Sequence, residues 1–178
     1  MKKFPTLSWR AAMLAVLCLL GASCATRPDA MAHVHQHPHL LTGTWQLVAA
    51  DAVRPDGVHI RDYGEDPKGL LLVDATGRYS LQIFKSERPQ FASTNKAEAT
   101  PSEYRSAVMG SSTHFGSIDV DAGGQTLTFN IVVASFPNWQ GTRQIRHFEL
   151  KNDVLSYEVP ARPDGNVPIS VWRRIDSS

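Results

Sequence analysis

Cysteine is nearly absent: the chain of 178 residues has two, Cys18 and Cys24. Both lie close to the N-terminus, so no pair remains to staple the rest of the chain, and its stability must come from a packed core. Long hydrophobic runs are also missing. The longest, Ala11 to Leu20, falls short of the about 20 apolar residues that a permanent membrane-spanning helix needs. No basic stripe interleaved with aromatic residues is present to neutralise phosphates, so no nucleic-acid partner is expected. Catalytic signatures are equally scarce. The serines have no nucleophile-elbow context and no histidine stands at a diagnostic spacing from an acid, which leaves hydrolysis without support. There is no internal repeat and no sign of a second domain. An apolar fraction of 42% is that of one globular core.

What is present begins with a leader. Lys2, Lys3 and Arg10 precede the apolar run, and Gly21, Ala22 and Ser23 follow it, the pattern of a bacterial-type export signal over residues 1–24. Its removal leaves 15 basic residues against 17 acidic ones. The order Leu20 Gly21 Ala22 Ser23 Cys24 is similar to the lipobox of bacterial lipoproteins. That resemblance implies acylation of Cys24 and a membrane anchor, and Ala25 in second place implies an outer-membrane destination. The pattern departs at Gly21, where the lipobox favours leucine, and ordinary cleavage near the same place is the alternative. Either route gives an exported, periplasmic protein. Residues 25–40 then read as a polar, flexible tail. Within it His33, His35, His37 and His39 alternate, so an extended backbone places four imidazoles on one side, able to chelate zinc or copper. A plain tether is the competing reading, because no acidic or cysteine co-ligand lies nearby.

From Leu41 the pattern is that of strands. Thr44 to Ala50 alternates, with Trp45, Leu47 and Ala49 on one face. Gly43 lets the backbone pass close beneath the Trp45 indole. Leu70 to Val73 is apolar on both faces and reads as a central strand, and Asp74 to Gly77 makes the hairpin into Arg78 to Phe84. A polar connection follows. Thr100 Pro101 Ser102 Glu103 combines a capping threonine, a proline in the first turn and a glutamate three residues later, which predicts a short helix over about Pro101 to Gly110 beside or over a barrel opening. Strand resumes at Phe115 to Val120, turns at Gly123 and Gly124, and continues with Leu127, Phe129, Ile131 and Val133 on one face. Pro137 Asn138 Trp139 interrupts it, and three further strands run from Arg143, Val154 and Ile169. About eight short antiparallel strands with one helix predict an all-β fold, a closed up-and-down barrel over residues 41–176.

Several motifs in this order resemble those of the bacterial and fungal lipocalin-like domain family: Gly43 Thr44 Trp45, Tyr63 Gly64 Glu65 Asp66 Pro67, Arg88 Pro89, Phe115 Gly116, Pro137 Asn138 Trp139, Arg146, and Trp172 with Arg174. The resemblance implies a calycin-type barrel whose base is closed by Gly43, Trp45 and Arg174, the arginine crossing the indole. Many members carry histidines in the long strand before the Pro Asn Trp turn. Here Phe129 and Asn130 stand there, and a phenylalanine transfers no protons.

A barrel of this size holds side chains or one small ligand. The candidate ligand-binding residues are Tyr79, His114, Asn130, Asn138, Trp139, Arg146 and Tyr157. Arg146 and His147 are strand neighbours, so only one faces inward, and the resemblance favours Arg146. A buried arginine wants a carboxylate, from Glu103, from Glu149 or from a ligand. The expected function is binding of a small apolar or amphipathic molecule inside the barrel, with no cofactor and no catalytic residue assigned. The alternatives are an isomerase or cyclase using the same cavity, and a metal-binding lipoprotein working through the histidine tail.

Overall fold

The structure, a computed structural model, describes residues 40–175. The leader, Cys24 and the tail histidines His33, His35, His37 and His39 lie outside the described residues. Nine strands run β1 (Gly43–Val53), β2 (His59–Ile60), β3 (Lys68–Val73), β4 (Arg78–Phe84), β5 (Ser111–Asp121), β6 (Thr126–Ala134), β7 (Arg143–Lys151), β8 (Val154–Glu158) and β9 (Val167–Arg174), with one helix, α1 (Pro101–Met109), between β4 and β5. From β3 to β9 each strand pairs antiparallel with the next, and β1 closes the circle against both β3 and β9. Eight strands thus form a closed barrel, which removes the exposed edges an open sheet would carry. The two-residue β2 pairs with the far end of β1, where Ala52 lies opposite Ile60.

Period-two alternation drives the closure. In β4, Tyr79, Leu81 and Ile83 are buried while Arg78 and Gln82 face solvent. The two ends of the barrel differ because the connections differ. At one end lie tight hairpins, such as Asp74 to Gly77, where Asp74 Oδ1 accepts from the backbone N–H groups of Thr76 and Arg78. At the other lie the long connections that carry β2, α1, the turn Pro137–Trp139 and the segment between β8 and β9.

The hairpin end is solid. Trp45, Leu71, Leu127, Leu155 and Trp172 are completely buried there. Trp45 Nε1 donates to the Leu41 carbonyl at 2.9 Å, and the Arg174 guanidinium lies 4.0 Å from the indole centroid. Arg174 also donates to the Thr42 and Leu40 carbonyls and pairs with Asp153 at 3.0 Å. Gly43 is required for a reason the sequence did not show. Its φ is +137°, and a Cβ there would sit 2.9 Å from Arg174 Nη1, so the glycine makes room for the arginine rather than for the indole.

Three expectations change. Leu72 of β3 faces outward and is exposed, because a one-layer barrel leaves the outer face of each strand to solvent. Val133 of β6 is also exposed. A bulge shifts the register, with Phe115 opposite Val133 but Gly116 opposite Ile131, and so reverses the alternation beyond Ile131. The helix forms with the predicted capping box between Thr100 and Glu103, yet none of its residues is buried and Val108 is exposed. Its connection is held instead by local contacts: Tyr104 donates to the Lys96 carbonyl and stacks edge-on against Phe91.

Candidate functional site

The barrel is filled at the hairpin end and hollow at the other. The hollow is a cavity of about 400 Å³, within the range of small-ligand sites. Leu81, Ile83, Tyr63, Trp139 and Val159 supply apolar walls, while His114, Gln144, Arg146, Tyr157 and Ser170 supply polar groups.

Arg146 is the unusual member. Strand parity turns it inward, and it is 5% exposed, whereas its neighbour His147 faces solvent. Its guanidinium lies 4.1 Å from the Phe129 ring centre and 5.0 Å from that of Tyr157, so two aromatic faces partly replace water around the cation. Nη2 donates to Gln144 Oε1 at 2.8 Å. Nε has no hydrogen-bond partner, and neither has Asp51 Oδ1, buried on the lining of the same cavity. No ion pair to Arg146 exists among the described residues. Neither expected glutamate partners it. Glu103 accepts from Thr100 and from the Ala92 backbone in the helix cap, and Glu149 lies on the outward side of β7. Burial lowers the pKa of Arg146, and the neighbouring Tyr157 and Tyr79 oppose that effect.

Beside the arginine stands a buried pair. The Tyr79 hydroxyl and His114 Nδ1 are 2.7 Å apart. Burial first, then the nearby Arg146 charge, pushes His114 down to about 3, so the ring is neutral. Burial raises the Tyr79 pKa, so the phenol keeps its proton. The phenol proton needs an acceptor, and Nδ1 is the one within reach. His114 then carries its own proton on Nε2. Edge-to-face contacts fix the ring further, at 5.7 Å from Phe129 and 6.2 Å from Trp139.

At the mouth, Arg162 Nη2 meets Asp62 Oδ2 at 2.6 Å, joining the segment after β2 to the segment after β8. Tyr63 lies beside this pair, and burial raises its pKa.

The structure therefore brings together Tyr79, His114, Trp139, Arg146 and Tyr157 of the sequence-derived candidates. It does not bring Asn130 or Asn138. Asn130 lies on the outer side of β6, where its amide donates to Asp119 at 2.9 Å and to Ser117 at 3.3 Å. Asn138 is exposed in the turn. Phe129, Gln144 and the Asp62–Arg162 pair were missed. Gln144 had a legible signal, since it stands two residues before Arg146 in one strand and so shares its face. No group of three or more potential metal ligands gathers among the described residues.

Three solved chains match this one. One of them is a variant of the fluorescent protein UnaG, 15% identical over 77% of this chain and 97% of that one, with a TM-score of 0.35. No curated protein matches. The model of the lipocalin-like domain matches residues 42–175, and the chain belongs to that family.

Proposed function

We propose that the protein binds a small amphipathic molecule in the hollow half of its barrel, with the polar end of the ligand on Arg146 and its apolar body against Leu81, Ile83 and Trp139. One observation carries this reading: a buried arginine lines the cavity with its Nε unpartnered and with no ion pair to any of the described residues. Burying an unpaired cation is costly, and a structural role would be served as well by an apolar side chain. The test is native mass spectrometry of the purified protein, with displacement of a hydrophobic dye. A retained molecule, or dye displaced by amphipathic compounds, is the expected result. Dye exclusion with no retained molecule sinks the reading.

The Tyr79–His114 contact favours a second reading, an isomerase or cyclase in the same cavity. It ranks below binding, because a histidine with a pKa of about 3 is a poor general base near neutral pH. Chemical turnover of the bound compound decides between the two. The leader and Cys24 support export and lipid anchoring as part of the same proposal. A Cys24→Ser variant that still partitions into detergent defeats the anchor.

A further inference from the structure

We infer that Asp51 is a second anchor in the cavity and takes an amine, so that the ligand carries an amine at one end and a carbonyl-type acceptor at the other. The inference rests on the binding reading above and sharpens it to a ligand class. Four charged side chains line the hollow: Asp51, Asp62, Arg146 and Arg162. Two of them satisfy each other, since Arg162 Nη2 meets Asp62 Oδ2 at 2.6 Å. The other two do not. Arg146 Nε and Asp51 Oδ1 are both buried without a hydrogen-bond partner, and no ion pair joins either side chain to any of the described residues.

Barrel closure keeps these two apart. Asp51 stands on β1, opposite Ile169 of β9, whereas Arg146 stands on β7, opposite Leu127 of β6. Around the circle β8 and β9 separate them on one side, and β3 to β6 on the other. Even the shorter way is three strand spacings of about 4.8 Å each. The hollow therefore has one unpaired charge of each sign, on different walls. Their chemistry is opposite as well. A guanidinium only donates and needs an acceptor, while a carboxylate oxygen only accepts and needs an N–H or O–H. A ligand with a single polar head satisfies one wall and leaves the other buried and unpaired. A hydroxyl at the second end would give Asp51 a hydrogen bond but no opposite charge, and an ammonium gives both. Between the two walls, Leu81, Ile83 and Val159 suit an apolar spacer. Size follows from volume. At roughly 30 Å³ per water-sized group, the cavity of about 400 Å³ holds on the order of a dozen such groups.

The experiment compares methyl 8-aminooctanoate with methyl nonanoate as competitors of a hydrophobic dye bound to the full chain. The two esters have the same shape and the same neutral acceptor, and differ only in an ammonium against a methyl group. The amino ester is expected to displace the dye at least about ten-fold more tightly, although its charged end is the better hydrated of the two. Asp51→Asn should abolish that advantage and leave methyl nonanoate within about two-fold of its native affinity, which shows that the variant keeps its fold and its cavity. Arg146→Met should weaken both esters alike and preserve their ratio. If methyl nonanoate competes as well as the amino ester in the native protein, solvent alone satisfies Asp51, and the amine inference is overturned while cavity binding stands. An advantage that survives in Asp51→Asn overturns it too, because the ammonium then meets another group. If neither ester displaces a bound dye, both readings fall.

Discussion

The Arg174 guanidinium lies over the Trp45 indole at 4.0 Å, and the same guanidinium donates to backbone carbonyls of the segment just before β1. The last strand is thereby locked to the first at the filled end of the barrel. Arg174→Ala removes the ring contact and at least two hydrogen bonds, and should cost about 2–3 kcal/mol in urea unfolding. Gly43→Ala should cost about 1–3 kcal/mol, from its positive φ and from the clash with Nη1. The double variant should cost less than the sum, because removing the arginine removes the clash and leaves only the φ penalty. Strict additivity in a double-mutant cycle counts against this coupling.

Gly116 controls the register of the long β5–β6 pair. A Cβ there would lie 1.9 Å from the Asn130 carbonyl oxygen and 3.0 Å from the Val132 nitrogen, both backbone atoms that cannot swing aside. Gly116→Ala is therefore expected to destabilise by about 3 kcal/mol or more and to disturb the amide signals of β6 around the bulge. A variant of native stability with unshifted Asn130 and Val132 amides contradicts this role.

That glycine also explains where sequence reasoning failed. Local patterns were legible: β4 came out at its predicted ends, and the Thr100–Glu103 capping box marked the helix start, because both depend on neighbours within a few residues. The outward turn of Val133 was not legible, since it follows from a bulge set by a contact between two strands. Parity allowed only one of Arg146 and His147 inside and the family resemblance favoured Arg146, but nothing in the chain announced that Glu103 would be spent on the helix cap and Glu149 turned outward. The hollow itself depends on which large side chains stop short of the mouth, a property of packed volume rather than of pattern.

Arg146 should be a site where stability and function oppose each other. Its burial without a carboxylate costs free energy that the Phe129 and Tyr157 faces only partly offset. Arg146→Met replaces the cation by an apolar chain of similar length. Without ligand, the variant is expected to be as stable as the native protein or up to about 1–3 kcal/mol more stable, while losing affinity for the polar end of the ligand. Urea titration of the two proteins without ligand checks it. A clear loss of stability in the variant would mean that the guanidinium holds the fold, and would remove the main reason for assigning it to a ligand.

The buried histidine makes a pH prediction with a definite sign. An unfolded chain protonates His114 near its ordinary value of 6.5, whereas the native site resists protonation until about 3. Between those values the unfolded state binds the extra proton, so stability is complete above about 6.5 and declines as pH falls, by at most about 1.4 kcal/mol per pH unit from this residue. The slope is best read from pH 6.5 down to 5, above the range where Asp74, Glu98 and Glu103, all lowered by hydrogen bonds, begin to contribute. His114→Phe should flatten that slope, and an unchanged slope in the variant would place the effect elsewhere. Binding should behave differently from stability. The groups around His114 are Tyr79 from β4, Phe129 from β6, Trp139 from the following turn and Arg146 from β7, and none of them changes charge near neutrality. Affinity for a cavity ligand is accordingly expected to stay flat from about pH 6 to 8, since His114 stays neutral throughout that range. A step in affinity near pH 6.5, lost in the His114→Phe variant, would show that the imidazole takes up a proton with the ligand in place.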